Sequence, residues 1–257
     1  MFANYHTHTY LCHHAEGDPR EYVETAIRAG MKILGFSDHV HYPFPTDHDS
    51  GFRMGAADTP LYVEMLQKLR EEYRKDIQIL IGFEVEYYPD LFAGLLEFLA
   101  PYEYDYFILG QHFLYNEYDF GLYSGNATDS EEILSHYVDQ VNEAVDTGRF
   151  SYIAHPDLLN YHGPKEIYEK HMTRLCRHAK EKEMPLEINF LGLAQDRHYP
   201  RADFFAIAKS VGNDIVFGCD AHWPGLLFDE TVLKKAESLA EKLDLRPVQT
   251  VKIRNPK

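Results

Sequence analysis

The chain has 257 residues, of which 45% are hydrophobic and 26% are charged, and this balance excludes a mainly disordered protein. The length suits one large α/β domain, so we expect residues 1–257 to form a single domain. The formal net charge is −16, from 41 acidic and 25 basic side chains, and the sequence contains no cluster of Lys and Arg. Because nucleic-acid binding depends on clustered basic residues, we expect no nucleic-acid partner.

The sequence shows no sign of a membrane or secreted protein. No apolar run approaches the roughly 20 residues that cross a bilayer, and the first residues lack the basic and apolar regions of a signal peptide. We therefore expect no membrane association. The cysteines, Cys12, Cys176 and Cys219, are odd in number and far apart, which favours reduced thiols and a cytoplasmic location.

Short apolar runs alternate with amphipathic stretches along the whole chain. The apolar runs predict strands, in chain order, over 2–6, 31–36, 77–83, 106–109, 152–154, 185–189 and 215–219. The amphipathic stretches predict helices over 18–30, from 59 onwards, and over 130–147, 164–183, 201–211 and 229–243. This alternation of strand and helix predicts an α/β protein with a mostly parallel sheet, and we expect a barrel.

Two polar segments rich in turn-forming residues interrupt the pattern, over 41–58 and 116–129. Each follows a predicted strand, and we expect both to cover one end of the sheet as lids.

Most of the unusual histidines and acids stand at or just after the end of a predicted strand. They are His6, His8, Asp38, His39, Glu84, His112, His155, Asp220 and His222. In a parallel barrel the C-terminal ends of the strands share one face, where active sites are built. We therefore expect these residues to converge, although more than two hundred positions separate the first from the last.

The spacing within this set favours metal binding. His6 and His8 point to the same face of an extended segment, and Asp220 and His222 repeat the pattern. Imidazoles and carboxylates together suit Zn, Mn or Fe. The number of donors is sufficient for more than one ion, and multinuclear sites are typical of phosphate-ester hydrolysis.

Several motifs carry a family resemblance. They are 5–9 (Tyr-His-Thr-His-Thr), 14–17 (His-Ala-Glu-Gly), 35–39 (Gly-Phe-Ser-Asp-His), 82–84 (Gly-Phe-Glu), 111–113 (Gln-His-Phe), 154–157 (Ala-His-Pro-Asp), 187–189 (Glu-Ile-Asn) and 218–222 (Gly-Cys-Asp-Ala-His). In this order they resemble the PHP-superfamily phosphoesterases, and among these the histidinol-phosphatase branch. The resemblance implies a distorted (β/α)7 TIM-like barrel with its active site at the C-terminal ends of the strands. It also implies three divalent ions and hydrolysis of a phosphate monoester by a metal-bridging hydroxide.

The resemblance also implies a ligand set. One metal would bind His6, His8, Glu84 and Asp220. A second would share Glu84 and bind His112 and His155. A third would bind His14, His39 and His222, of which His14 is not selected by its position at a strand end.

The residues that would meet the substrate are less well defined. Arg197 and Arg201 are the candidates for clamping phosphate, since guanidinium binds phosphate through two parallel hydrogen bonds. Asp157 could orient a ligand or move a proton, and Asp38 could support His39.

One departure from the family pattern concerns the substrate, which the resemblance implies to be L-histidinol phosphate. Where that branch has a basic residue after the His-Pro-Asp segment, this chain has Leu-Leu-Asn-Tyr-His over 158–162. His162 or His198 is a candidate for the missing cation. Another small phosphorylated metabolite is therefore an alternative substrate.

Two further functions stay open. Amidohydrolase-type C–N hydrolases also combine an HxH strand with later histidines and an Asp, although they usually lack a third metal. A non-catalytic metal-binding or interaction module is the other alternative.

Overall fold

The computed structural model describes residues 1–119 and 121–257. The strands in chain order are β1 (Ala3–Asn4), β2 (Ile33–His39), β3 (Gln78–Val85), β4 (Tyr106–Leu109), β5 (Phe113–Leu114), β6 (Leu122–Tyr123), β7 (Phe150–Ile153), β8 (Leu186–Asn189) and β9 (Ile215–Gly218). Within the described residues, seven of them form a parallel sheet in the order β1-β2-β3-β4-β7-β8-β9, and β5 pairs with β6 in a separate antiparallel hairpin.

The parallel sheet is nearly closed into a barrel. Just beyond the ends of β1 and β9, Thr7 and Ala221 form an isolated parallel bridge. The amide of His8 donates to the carbonyl oxygen of Ala221 at 3.0 Å, and the amide of Ala221 donates to that of His6 at 3.2 Å. The first and last strands therefore meet at the C-terminal end of the sheet, and the expected distorted (β/α)7 barrel is confirmed.

Helices connect the strands and cover the outside of the sheet. They are α1 (Pro19–Arg28), α2 (Asp58–Glu72), α3 (Phe92–Leu99), α4 (Glu131–Asp146), α5 (Lys165–Glu181), α6 (Phe190–Ala194), α7 (Ala202–Val211) and α8 (Glu230–Lys242). The start of α1 shows how local sequence sets a boundary. The Asp18 side chain accepts from the amide of Arg20, and the Glu21 carboxylate accepts from the amide of Asp18 at 2.8 Å, which forms a capping box.

Tyr106 occupies part of the interior of the barrel. Its buried hydroxyl donates to the carbonyl oxygens of Tyr5 at 2.7 Å and Phe36 at 3.1 Å. The ring lies against Gly82, where a Cβ atom would stand 2.4 Å from it, so only glycine leaves room at that position. The Tyr106 side chain thus joins β4 to β2 and to the residue that follows β1.

The structure differs from the sequence expectations at several elements. β2 continues to His39, because Asp38 and His39 stay in register with Phe83 and Glu84 of β3. The helices α3 and α6 were not predicted, and the segment expected as a loop over 116–129 includes β6. The sequence of α3, FAGLLEFL, is only eight residues long and mostly apolar, and so short an apolar run does not distinguish a helix from a strand.

Among the described residues, no helix has both the length and the apolar character that a membrane span requires.

Candidate metal centre and active-site cavity

The side chains predicted to bind metal meet at the C-terminal end of the barrel. They are His6, His8, His14, His39, Glu84, His112, His155, Asp220 and His222. Each is buried except His14, which is exposed, and His112, which is partly buried. The strands end on one face and therefore place donors from distant parts of the chain side by side.

Glu84 occupies the middle of this group. Its Oε2 atom lies 3.4 Å from Nε2 of His6 and 3.2 Å from Nδ1 of His39. Its Oε1 atom lies 2.8 Å from Nε2 of His155 and 3.7 Å from Nε2 of His112. Nε2 of His8 lies 3.5 Å from Oε2 as well, so a single carboxylate faces five imidazoles, as a bridging ligand would.

Asp220 and His222 complete the group from the opposite edge of the sheet. The Oδ1 atom of Asp220 lies 3.1 Å from Nε2 of His8 and 3.4 Å from Nε2 of His6. The Nε2 atoms of His14 and His222 are 2.8 Å apart. His14, which the resemblance alone suggested, is therefore close to its expected neighbours.

Two of these residues have a strained backbone. The φ angles of His155 and Asp220 are 28° and 50°, in a region that residues other than glycine seldom adopt. Such strain persists where the surrounding structure holds it, and it is concentrated at functional sites. Here it turns both side chains inward at the ends of β7 and β9.

Buried carboxylates orient two of the imidazoles. Nδ1 of His6 lies 2.9 Å from Oε1 of Glu187, and Nδ1 of His8 lies 3.2 Å from Oδ1 of Asp38. Because Nδ1 is held, Nε2 is the atom that each ring presents to the centre. The position of Asp38 agrees with a supporting role, although its contact is with His8 rather than with the ring of His39.

Two further rings are held in the same way. Nδ1 of His112 lies 2.8 Å from Oε1 of Glu86, and Nδ1 of His14 lies 2.7 Å from the carbonyl oxygen of Cys12. The sequence analysis gave no role to Glu86 or Glu187. Glu86 follows Glu84 by two residues near the end of a strand, a signal that could have placed it beside the site.

Several donor atoms have no hydrogen-bond partner among the described residues. They are Nε2 of His6, Nε2 of His8, Nδ1 of His39 and Oε2 of Glu84, and all are buried. A buried polar atom without a partner is costly. Transition-metal ions would satisfy such atoms, and mixed imidazole and carboxylate donors suit Zn, Mn or Fe. The residues present therefore fit bound metal ions.

The donors form overlapping groups in which the ligand atoms lie within 4.8 Å of one another. The groups are His14–His39–His222, His6–His8–Glu84, His39–Glu84–His112 and His6–His155–Asp220, and His8–Cys12–His222 is a further one. These distances fit more than one ion. Cys12 entered no predicted ligand set, although its thiol is buried and free.

The electrostatics of the centre favour an ionised Glu84 and a neutral His14, the states in which each can bind a metal ion. Burial alone would raise the pKa of Glu84, but the facing imidazoles of His6, His112 and His39 hold it well below its usual value. Burial, with the neighbouring ring of His222, lowers the pKa of His14 to about 4. Glu84 is therefore ionised and His14 neutral near pH 7.

A cavity of about 570 Å³ lies beside the donors. Aromatic side chains that the sequence analysis did not assign form much of its wall, namely Phe52, Phe113, Tyr123, Tyr199 and Trp223. Glu16, Leu191, Gln195 and Arg197 also line it. These residues are far apart in the sequence, so no local pattern indicated that they would line one cavity.

Of the two arginines predicted to clamp phosphate, the structure brings only Arg197 to the cavity. Its Nη1 atom donates to the hydroxyl of Tyr199 at 2.7 Å. The guanidinium of Arg201 instead donates to Asp203, at 2.9 and 2.7 Å, and to the carbonyl oxygen of Tyr161 at 2.9 Å. Arg201 is thus hydrogen-bonded within the protein and outside the described cavity lining, and its contact with substrate stays a prediction.

The other predicted substrate and catalytic residues lie outside the described cavity lining. His162 is exposed, and Nε2 of His198 is 2.7 Å from the carbonyl oxygen of Leu158. Asp157 is buried, and its carboxylate accepts from the amide of Arg201. Burial raises the pKa of Asp157 to about 7.

Comparison with known proteins agrees with this geometry. A family model described as the PHP domain matches residues 4–190. A probable histidinol-phosphatase of Deinococcus radiodurans is 29% identical over 238 residues, with 86% of each chain covered. A histidinol-phosphatase of Bacillus subtilis is 26% identical over 253 residues, with 86% of this chain and 93% of the relative covered.

Solved structures share the fold. A histidinol phosphate phosphatase from Lactococcus lactis, complexed with Zn, L-histidinol and phosphate, superposes with a TM-score of 0.73. It is 23% identical, and 98% of each chain is covered.

The chain belongs to the PHP domain family. Within that family it is an enzyme of the phosphoric monoester hydrolase class, similar to histidinol-phosphatases.

Proposed function

We propose that this protein hydrolyses a small phosphate monoester, L-histidinol phosphate, with three divalent transition-metal ions. One observation carries the proposal: buried imidazole and carboxylate atoms without hydrogen-bond partners point to a common centre beside a cavity that contains Arg197. The names of the relatives from Deinococcus radiodurans and Bacillus subtilis support the choice of substrate.

The proposed ligands divide into three sets. His6, His8, Glu84 and Asp220 would hold one ion, Glu84 with His112 and His155 a second, and His14, His39 and His222 a third. Two of the close groups of donor atoms support these sets, since His6–His8–Glu84 and His14–His39–His222 each lie within one proposed set. When bound, such ions supply a nucleophile from water at neutral pH and stabilise the charge on phosphoryl oxygens.

The side chains of the protein itself position the substrate. Arg197 is the cation that would bind a phosphoryl oxygen, since it lines the cavity and its guanidinium offers several donors. The aromatic wall excludes water and favours a leaving group with a flat or apolar part. Glu16, at the same cavity, would favour a leaving group with a positive charge.

A different phosphorylated metabolite is the second candidate substrate, and one observation favours it. The segment 158–162, in which the resembling branch has a basic residue, begins here with Leu158 and Leu159, and both are buried. Arg201 is the less favoured replacement, because Asp203 and Tyr161 bind its guanidinium. The anchoring of phosphate by arginine therefore depends on Arg197.

Phosphate release from purified protein, with Mn or Zn added, tests the function. We expect the highest kcat/KM for L-histidinol phosphate among a panel that includes 4-nitrophenyl phosphate and sugar phosphates. Elemental analysis should find about three ions per chain, since each catalytic ion usually has three or four protein ligands. As matched variants, His222→Ala should lose activity, and His178→Ala, on the surface of α5, should keep it.

The outcomes separate the alternatives. Faster release from another phosphate monoester would keep the class of reaction and change the substrate. Turnover of amides or lactones with no more than two ions per chain would indicate an amidohydrolase-type enzyme. Absence of turnover with every compound would contradict an enzymatic function.

We further propose that residues 1–257 form one barrel domain in the cytoplasm, and that the protein binds neither nucleic acid nor membranes. The net charge of −16 supports the last point, since it would repel polyanions. The buried, unpaired thiols of Cys12, Cys176 and Cys219 support a reducing compartment.

A further inference from the structure

The segment between β2 and α2 contains a buried arginine that the proposed chemistry does not use. Only 1% of the Arg53 side chain is exposed. Its Nη1 atom lies 2.7 Å from Oε2 of Glu86, and its Nε atom donates to Oε2 of Glu117 at 2.7 Å. One guanidinium therefore joins two carboxylates from different parts of the chain.

Each of these carboxylates uses its other oxygen to contact a histidine. Oε1 of Glu86 lies 2.8 Å from Nδ1 of His112, and Oε1 of Glu117 lies 2.9 Å from Nε2 of His48. The result is a continuous chain of contacts from His112 through Arg53 to His48. Glu86 is wholly buried and Glu117 is 7% exposed, so their charges need a partner within the protein.

The contact with Glu86 affects the proposed metal centre. Glu86 fixes the ring of His112, whose Nε2 atom then faces Oε1 of Glu84 at 3.7 Å. Arg53 in turn fixes Glu86, because it neutralises the carboxylate and binds the oxygen that His112 does not use. Partners of this kind orient metal-binding imidazoles, and their loss typically weakens metal affinity 10–100-fold.

The neighbouring residue forms part of the cavity wall. The ring of Phe52 stacks on that of Phe113 at 5.7 Å and meets the ring of His39 edge-on at 5.0 Å. The Arg53 guanidinium lies 4.5 Å from the centre of the Phe52 ring. The contact of Arg53 with Glu117, which lies between β5 and β6, holds this segment against the hairpin.

We propose that Arg53 is a positioning residue that orients His112 through Glu86 and holds Phe52 in the cavity wall through Glu117. This inference rests on the proposed metal-dependent function, although the test of its effect on metal affinity does not require turnover. It assigns two separable effects to one side chain: one on metal affinity, the other on the binding of the leaving group.

Metal titration of the full chain with a chromophoric chelator as competitor tests the first effect. In Arg53→Met, we expect one ion to bind 10–100-fold more weakly while the others keep their affinity. Arg53→Lys keeps a cation that cannot reach both carboxylates in the same geometry, so an intermediate affinity is expected. Arg70→Met is the matched control, because Arg70 also pairs with a carboxylate, Asp105, but away from the site.

Steady-state kinetics with saturating metal tests the second effect. Glu117→Gln removes the charge that pairs with Arg53 and so weakens the contact with the hairpin, but leaves Glu86 paired with His112. KM should therefore rise about tenfold with kcat and metal affinity little changed. If Arg53→Met does not fold, Arg53→Lys and Glu117→Gln carry the test. Wild-type affinity for every ion in both Arg53 variants, or an equal loss of all ions, would overturn the inference.

The same measurements separate this inference from the proposed function. A wild-type chain that binds metal but hydrolyses no phosphate monoester would contradict the function alone. Selective weakening of one ion in the Arg53 variants would then still support the positioning role.

Discussion

The carboxylate of Glu187 and the imidazole of His6 are hydrogen-bonded at 2.9 Å, although the two residues are 181 positions apart. Glu187 also accepts from the amide of His155 at 3.0 Å and from Nδ2 of Asn189 at 2.9 Å. The bond from the amide of His155 ties the carboxylate of Glu187 to the backbone of another proposed ligand. Glu187 thus connects the first strand of the barrel with the two strands β7 and β8.

Glu187→Gln tests this connection. The amide keeps the size of the side chain but loses the negative charge that supports the His6 ring, so metal affinity should fall 10–100-fold. Competition with a chelator measures the affinity, and circular dichroism checks the fold. Glu166→Gln, at the exposed start of α5, is the control. Unchanged affinity in Glu187→Gln would mean that the contact with His6 does not support metal binding.

Gly218 makes room for the same carboxylate. A Cβ atom at this position would lie 1.7 Å from Oε1 of Glu187, so Gly218→Ala must displace the carboxylate or the strand. We expect a stability loss of about 1–3 kcal/mol from overpacking, together with weaker metal binding. Gly94→Ala in α3 is the control, because its nearest contact is an atom of Pro43 at 3.9 Å. Urea unfolding compares the two variants, and equal stability would contradict the prediction.

The two arginines after α6 should behave differently. Arg197 lines the cavity, so Arg197→Met should lower kcat/KM for a phosphate monoester about 10–100-fold, through loss of a charged hydrogen bond. Arg201→Met should change kcat/KM less than threefold and act mainly on stability, because Asp203 and Tyr161 hold its guanidinium. A larger kinetic effect in Arg201→Met than in Arg197→Met would reverse the assignment.

Asp157 should make stability depend on pH. Burial raises its pKa to about 7 from an ordinary value of 3.8, so the folded state binds the proton more tightly than the unfolded state. The stabilisation from the protonated carboxyl is complete below pH 3.8, and it is lost as the pH rises from there through about 7. In metal-free protein, Asp157→Asn should therefore gain stability relative to wild type between pH 5 and pH 9, by up to about 3 kcal/mol, since the raised pKa costs about 1.4 kcal/mol per pH unit up to about pH 7.

Urea unfolding at both pH values measures this difference, with the exposed Asp47→Asn as control. A difference that does not change with pH would contradict the raised pKa. Phosphate release by Asp157→Asn tests the predicted catalytic role of Asp157. Since its carboxylate is outside the described cavity lining, we expect less than a tenfold loss.

Removal of metal should lower thermal stability. The donor atoms without partners, such as Nε2 of His6 and Oε2 of Glu84, are satisfied when ions bind. Each ion present at 1,000 times its Kd stabilises the folded state by about 4 kcal/mol. Chelator treatment should therefore lower Tm, and addition of Zn or Mn should restore it, as followed by calorimetry. The same Tm with and without chelator would argue against bound metal.

Local patterns were sufficient to predict most of the fold. The capping box at Asp18 and the apolar faces of α4 and α5 are properties of short segments, so the sequence alone indicates them. The run over 106–109 predicted β4 with the observed bounds. The same patterns missed α3, a short apolar run of eight residues, and they ended β2 before His39, where pairing with Glu84 continues the strand.

By itself, the sequence determined that the protein is a parallel barrel and that its histidines and acids gather at one face, since the ends of parallel strands coincide wherever the chain supplies them. Only the tertiary structure decided which side chains turn toward the cavity. It separates Arg197 from Arg201, pairs His6 with Glu187, and joins Arg53 to Glu86 and Glu117. The reason is physical: the direction of a side chain depends on neighbours that packing brings from distant segments, and no local pattern contains them.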